Sequence, residues 1–420
     1  MEGSRPLSQS STAGAATPFW RALPFIIACG GLVAMASFGP RSSMGLFLTP
    51  MTEARGWSRE TFAFAIAVQN LIWGIGQPFA GAFADRYGTT RVLIAGALLC
   101  GGGMMLMAWA PTPLWLHISA GLLFGVGLSA SSFSIVLAAY GRIVSPEKRS
   151  IAFGIGTAAG SFGQFLFAPL GQALIDVYGW QMALLGLGGL TFILISIFSL
   201  PLKGKPTSHP SQFGGRDQTI REALSEAFSH PSYLLLVAGF FVCGFHLAFI
   251  TVHLPAYIVD KGLDPSWGGW SIALIGLFNV VGSLVAGSLG QRHPKQIMLV
   301  AIYLARSAII VFFVMLPMTP VTLMIFSASM GLLWLATVPP TSGLVAVMFG
   351  PRYMGTLFGV VFLSHQIGSF IGVWLGGLLY DTTGSYDVVW WISVGLGVFA
   401  AVVHWPIKDQ AIERIMPAAE

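Results

Sequence analysis

Charge is scarce in this chain: 9% of its 420 residues are Asp, Glu, Lys or Arg, against about a quarter in soluble domains. With 55% hydrophobic side chains, a soluble globular protein is excluded, and a membrane protein is expected. Cysteine is equally sparse. The 3 cysteines, Cys29, Cys100 and Cys243, lie in apolar segments, with neither paired spacing nor a nearby histidine. That argues against a disulfide framework and a zinc site, and they read as core residues. No metal or other cofactor is expected, and no cluster of His, Cys or acidic residues suits an enzyme. A cleavable signal is not expected either, because residues 1–19 are polar and Ser/Ala-rich and no cleavage site follows.

What is there is a series of apolar runs. Breaks at charged or Pro/Gly-rich turns leave twelve, roughly 22–49, 60–84, 91–109, 113–141, 149–175, 181–202, 232–258, 267–290, 296–316, 320–347, 353–380 and 386–406. Each is near the roughly 20 residues that cross a bilayer as a helix. The expected organisation is a tail over 1–21, a six-helix bundle over 22–202, a linker over 203–231, a second bundle over 232–406 and a tail over 407–420. Within the linker, Ile220, Ala223, Leu224 and Phe228 share one helical face, which predicts a short amphipathic helix on the membrane surface.

The basic residues orient the chain. Of the 21 Lys and Arg, only Arg55, Arg59 and Lys261 fall in the odd-numbered loops, and only Arg41 and Arg306 within spans. All the others lie with the termini, which places both termini in the cytoplasm of a cell whose inner (plasma) membrane the chain crosses. The net charge of +5 follows from this topology, so a nucleic-acid partner is not expected.

The two halves repeat. A shift of 205 residues pairs Phe153, Gly154, Gly163, Phe165, Leu170, Gly171, Leu174, Asp176 and Gly179 with identical residues from Phe358 to Gly384. A shift of 206 pairs Gly76, Ala80, Gly81 and Arg86 with Gly282, Ala286, Gly287 and Arg292. Spans 5 and 11 are therefore equivalent, and the halves are related by an axis along the membrane normal. Glycines at three- and four-residue spacing in both spans, such as Gly160 and Gly163, Gly368 and Gly372, predict close helix packing.

After span 2 comes GAFADRYGTTR, in which Gly81, Asp85, Arg86, Gly88 and Arg91 resemble the loop signature of the major facilitator superfamily. The resemblance implies an all-α membrane protein of two pseudo-symmetric six-helix bundles. Asp85 has the wrong sign for the C-terminal end of its own helix and is expected to serve the N-terminus of span 11. The matching stretch GSLGQRHPK keeps Arg292 but has Gln291 for the aspartate, a weaker half of this conformational lock.

All 16 carboxylates fall in loops, tails or span ends, which leaves Arg41 and Arg306 as unpaired charges at membrane depth. Such charges mark functional sites. Arg41 precedes Pro50 by nine residues, about 13 Å of helix, and follows Pro40, which breaks the hydrogen-bond ladder. Arg306 lies about 16 Å in from Lys295. An anionic substrate is the expected partner, with a purely structural role, on helix carbonyls or by snorkelling, as the alternative for each.

Ser42, Gln69, Asn70, Ser132, Gln164, Asn279 and Gln366 are polar candidates on cavity faces, and Trp334 beside Pro339 and Pro340 is a candidate wall. His246 and His365 are the candidates for proton coupling, His365 also for substrate binding, while His253 is a further histidine of span 7.

GPRSSMGLFLTPM in span 1 and GLLYDTTGSYDVVWW at 377–391 are similar to the monocarboxylate transporter family and its bacterial relatives, including oxalate/formate antiporters. By this resemblance Arg41 binds a substrate carboxylate. The family's animal members carry Asp and Arg four residues apart in span 8, where this chain has Asn279 and Ser283. The expected function is alternating-access transport of a small organic carboxylate, coupled to protons, by a monomeric unit in the lipid bilayer. Anion exchange, or transport of larger amphipathic or aromatic compounds, is the alternative.

Overall fold

The structure, a computed structural model, describes residues 22–203, 219–350 and 353–412, which are helical with no strand among them. The expected tail at 1–21, the linker residues 204–218, and residues 351–352 and 413–420 lie outside the described residues.

Ten segments are long and apolar enough to cross a bilayer. Nine of them are single spans: span 1 (Leu23–Arg55), span 3 (Thr89–Ala108), span 4 (Pro113–Ile143), span 7 (Pro231–Asp260), span 8 (Ser266–Leu289), span 9 (Lys295–Met315), span 10 (Pro320–Phe349), span 11 (Met354–Thr383) and span 12 (Asp387–His404). The tenth, Ala152–Leu202, is two. Gly179, at φ 79° and ψ 161°, divides it into span 5 (146–178) and span 6 (180–199). Leu187 then packs on Gly171 and Leu174 on Gly186, as in an antiparallel hairpin. Span 2 (Arg59–Tyr87) completes the expected twelve although it is not among the ten. Its Gln69 and Asn70 are buried, so this helix spends polar residues on the protein interior rather than on lipid.

Each half has its own core. One cluster runs from Ala227 to Ile407 around Trp334 and Trp390, joined from the first half by Ala168. The first half buries Phe47, Phe62, Met104 and Phe124 in one cluster and Val33, Val136 and Tyr140 in another.

The repeat is carried by two backbone contacts. A Cβ on Gly163 would strike the backbone of Met35 in span 1, and one on Gly368 would strike the carbonyl of Phe241 in span 7. Spans 1 and 5, and likewise 7 and 11, can approach this closely only because glycine has no side chain there.

The fourth helix of each half is broken at equivalent places, positions 132 and 337. Ser132 has extended backbone (φ −61°, ψ 155°) between Phe124–Ser131 and Phe133–Ile143. Span 10 breaks between Leu333 and Val338, just before Pro339 and Pro340. The sequence signals the second break by its prolines, whereas the first has only a run of serines.

Broken helices expose backbone groups that must be satisfied. At the span 10 break, Arg306 Nη2 donates to the carbonyls of Leu333 and Trp334, each at 2.6 Å. Asn279 Oδ1 accepts from Leu335 N at 3.0 Å, while its Nδ2 donates to Ser161 Oγ of span 5 at 2.9 Å. One arginine and one asparagine thus stitch the break.

The loop after span 2 corrects one expectation. Among the described residues, Asp85 pairs with Arg142 at the end of span 4 and not with the start of span 11. The physical reason is proximity: Arg142, which also donates to Thr89, stands beside Asp85 in its own half, and a Cβ on Gly81, Gly154, Gly287, Gly355 or Gly359 would meet nothing within 4 Å. Gly88, at φ 92°, turns the chain from span 2 into span 3, and Arg86, Arg91 and Arg292 are exposed at the same end.

The expected linker helix is present as Ile220–Ser229, opened by a capping box of Thr219 and Glu222. Ala223 and Ala227 are buried against the second half, while Ile220 and Phe228 stay exposed.

Two outcomes follow from this packing. Gly368→Val forces a side chain into the Phe241 carbonyl, an overpacking cost of about 1–3 kcal/mol or more, and is expected to abolish monodisperse protein in size-exclusion chromatography. Gly359→Val, facing open space, is expected to leave it intact; equal behaviour of the two contradicts the packing. Arg306→Met leaves two buried carbonyls without a donor, at about 1–3 kcal/mol each, and an unchanged melting temperature in detergent would contradict the stitching role.

Candidate functional site

The two halves meet at the end away from the termini. There Arg59, the first residue of span 2, forks onto Asp260 at the end of span 7, with Nη1 and Nη2 at 2.6 and 2.7 Å from the carboxylate oxygens. Nη1 also donates to Tyr386 Oη at 3.0 Å, and the guanidinium lies 3.8 Å from the Tyr380 ring centroid. Asp381 of span 11 accepts the backbone N–H groups of Arg59 and Glu60 at 3.1 and 2.7 Å. A carboxylate from one half therefore caps a helix N-terminus of the other, where both the orphan donors and the dipole favour it. Trp374 Nε1 donates to Glu60 Oε1 at 3.0 Å.

Below this clasp the seams stay closed to mid-depth. Along spans 2 and 11, Ala63 packs on Gly377, Phe64 on Phe370 and Trp73 on Phe362. Along spans 5 and 8, Gln172 packs on Gly269 and Gln164 on Gly276.

At the floor of the closed region lies a small cavity lined by Arg41, Ile66, Gln69, Asn70, Ala248, Thr251 and Val252. Its volume of about 10 Å³ is near the minimum for one water. Both halves contribute, and none of the lining residues is acidic.

Local sequence explains how Arg41 reaches this place. The α-helix that contains Pro40 ends at Ser42, and span 1 continues as a 3₁₀ turn, Met44–Phe47, before resuming at Leu48. Ser42 Oγ donates to the Gly39 carbonyl at 2.6 Å, so it serves this break rather than the cavity. Gly45 in the turn packs directly on the backbone of Thr251 and Val252. Proline thus unwinds span 1 beside span 7, where Arg41 projects between the halves.

The Arg41 head group is half-buried. Nη2 donates to Asn70 Oδ1 at 2.6 Å, and Asn70 is held by its own Nδ2 donating to the Ile66 carbonyl at 2.8 Å. The guanidinium carbon lies 4.7 Å from the Trp73 ring centroid and 5.7 Å from that of Phe38. Nε has no partner. The ion pairs among the described residues involve Arg59, Arg142 and Lys295, not Arg41. Gln69 donates through Nε2 to the Ala120 carbonyl at 2.9 Å, which leaves Oε1 unpaired in the cavity wall.

The other sequence candidates are dispersed. Gln366 faces Gly74 across the seam of spans 2 and 11, with its Nε2 unpartnered, and Gln164 sits in the seam of spans 5 and 8 with both amide atoms unpartnered. Asn279 and Ser132 serve the broken fourth helices, Ser132 accepting from Gln77 at 2.9 Å.

Arg306 is 0% exposed inside the second half and does not line the cavity that holds Arg41. Trp334 is buried in the same core, beside the carbonyl that Arg306 binds. His246 lies 2.8 Å from the Ser393 carbonyl, deep in that bundle. His365 stacks on Phe362 and lies 3.2 Å from Gln366 Oε1.

Sequence reasoning missed the aromatic sleeve of Phe38 and Trp73. The signal was helical spacing, since Phe38 precedes Arg41 by three residues and Trp73 follows Asn70 by three. It also missed Thr251 and the whole clasp, because Arg59, Asp260 and Asp381 read singly as loop charges.

Comparison with known proteins places this geometry. The family model described as Major Facilitator Superfamily matches residues 27–373 and 269–414. Monocarboxylate transporter 13 of Rattus norvegicus is 25% identical over 374 residues, 88% of this chain and 86% of that protein. The uncharacterized MFS-type transporter YcxA of Bacillus subtilis (strain 168) is 25% identical over 403 residues, 93% of this chain and 95% of its own. Among solved structures, a bacterial homologue of the human lysosomal transporter Spinster, inward-facing and unoccupied, superposes with a TM-score of 0.72 at 13% identity, over 95% of this chain and 100% of that one. With a family model that covers most of its length, two six-helix halves and the loop signature after span 2, the chain belongs to the Major Facilitator Superfamily.

Proposed function

We propose that this transporter moves a small organic carboxylate across the plasma membrane by alternating access, with proton coupling, and that Arg41 is its principal substrate ligand. The termini face the cytoplasm in this reading, as the distribution of Lys and Arg favours. The clasped end is then the outer gate, and the opposite end is the cytoplasmic mouth. A single chain is the working unit, because both walls of the cavity come from it.

The observation that carries the proposal is an unpaired cation between the moving halves, with no acidic residue in the cavity wall. Magnitudes favour an anion over a neutral ligand. A carboxylate about 4 Å from Arg41 gains about 4 kcal/mol at an effective dielectric of 20, close to a thousandfold in affinity. The rings of Trp73 and Phe38 add about 0.5–2 kcal/mol each, which holds the cation in place without neutralising it. The monocarboxylate transporter relatives support the same substrate class.

The floor residues assign the remaining roles. Asn70 orients the guanidinium, Gln69 offers a polar edge to the substrate, and Thr251 brings span 7 to the same point. A carboxylate bound there touches both halves, so it can tip the balance between them only through contacts that differ in the two states. Gln164, with both amide atoms unpaired, and Gln366, with its Nε2 unpaired, are the further groups a substrate meets at the seams as the halves close. Arg306 acts structurally, at the span 10 break.

Arg41→Gln is expected to reduce uptake of labelled monocarboxylates into proteoliposomes to background, while the variant still elutes as a monodisperse peak. Arg41→Lys, which keeps the charge but not the fork, is expected to retain a fraction of that uptake. Uptake by Arg41→Gln at the unsubstituted rate contradicts the assignment.

A further inference from the structure

His253 of span 7 is fully buried just beneath the outer gate and belongs to no part of the substrate cavity. Its hydrogen bonds have a direction. Nε2 lies 2.8 Å from the carbonyl of Val373, which can only accept, so Nε2 carries the proton. In the neutral ring Nδ1 is then an acceptor, and Tyr386 Oη, 3.2 Å away, donates to it. The lone pairs of Tyr386 accept from Arg59 Nη1 at 3.0 Å, and Arg59 is clasped to Asp260. An oriented chain therefore runs from the seam of spans 7 and 11 to the gate. Gly376 makes room for it, since a Cβ there would stand 2.5 Å from His253 Nε2.

We propose that His253 is the proton-binding residue of the outer gate: the neutral ring holds the gate shut, and a proton taken from the outer solution onto Nδ1 favours the open gate. It rests on the alternating-access reading, not on the choice of a carboxylate as cargo.

With both ring nitrogens donating, Tyr386 keeps its own proton but loses its acceptor. Its oxygen is then shared by two cations, His253 and Arg59. The other charged or titratable groups around the ring are Tyr257 and Asp260 on its own span, Tyr380 and Asp381 on span 11, Asp387 beside Tyr386 on span 12, and Glu60 of span 2, which packs on Gly377 and accepts from Trp374. The turn Met44–Phe47 of span 1, which packs on the neighbouring Thr251 and Val252, contributes none. Asp260 and Asp381 are already engaged by Arg59 and by the start of span 2. Neither is free to balance a second cation while the gate is closed. Opening relieves the conflict, because it withdraws Arg59 from Tyr386 and admits water to the imidazolium.

The test is the distance across the gate. Spin labels at Ala54→Cys and Lys261→Cys, both exposed and on opposite halves, report opening in the full chain in nanodiscs; the native cysteines are buried. From about pH 8 to about pH 5 the long-distance population is expected to grow. His253→Gln places an amide donor toward Val373 and an acceptor toward Tyr386, mimicking the neutral ring, and is expected to stay closed at every pH. Tyr386→Phe cuts the chain, and is expected to raise the open population at high pH and to lose its pH dependence.

A pH shift retained in His253→Gln, or absent from the protein with His253, overturns the proposal. Carboxylate uptake by the same protein and variants reconstituted into proteoliposomes separates the two readings. Uptake with a pH-insensitive gate removes the proton site alone, and a pH-sensitive gate with no carboxylate uptake removes only the cargo.

Discussion

A cation in a low-dielectric interior must find compensation, and much of this molecule is arranged around two different ways of providing it. Arg306 is held by the protein itself, its Nη2 donating to two carbonyls of a helix broken just before two prolines, while its Nε and Nη1 have no partner. Arg41 has only a neutral amide and two ring faces. The two residues have the same chemistry and similar depth, but they differ in what surrounds them. One lies inside a bundle. The other lies between bundles, where, in the function proposed above, a bound anion would complete the electrostatics in one conformation and be released in another.

That difference matters because alternating access, as proposed, requires the halves to separate. Within each half, glycine brings backbones into direct contact, as at Gly163 with Met35 and Gly368 with Phe241, and such contacts resist shear. Between halves, glycines also meet backbone, as at Gly45 with Thr251 and Gly276 with Ser161, but one end adds a polar clasp. The clasp of Arg59, Asp260, Asp381 and Tyr386 uses charge-assisted hydrogen bonds, which water could replace if that end opened. A dry apolar seam of the same area would have no such substitute. At the opposite end the loop after span 2 is left to its own half, and Asp85 takes Arg142.

The periodic and compositional features were legible in the sequence: the spans, the repeat, the membrane-depth arginines and the loop signature. Span 2 was found by its charged boundaries although its polar residues lower its hydropathy, and Gly179 marks the turn between spans 5 and 6. For Arg306 the sequence left a ligand role and carbonyl contacts both open, because depth alone cannot tell a bundle interior from a cavity; the structure places it on carbonyls. Asp85 was assigned to span 11 because the choice between that helix and Arg142 depends on which end of the molecule is closed, and a sequence holds both states at once. The clasp was invisible for another reason. Its members are separated by some 200 to 300 residues and are ordinary span-end charges until the fold brings them together.

The central claim is that an unpaired charge, rather than apolar area, selects the cargo. The most direct measurement is isothermal titration of the purified transporter with a small carboxylate and with its isosteric neutral amide, at matched ionic strength. The account predicts binding of the carboxylate and an affinity for the amide lower by about a thousandfold. Equal affinity for the two would contradict it.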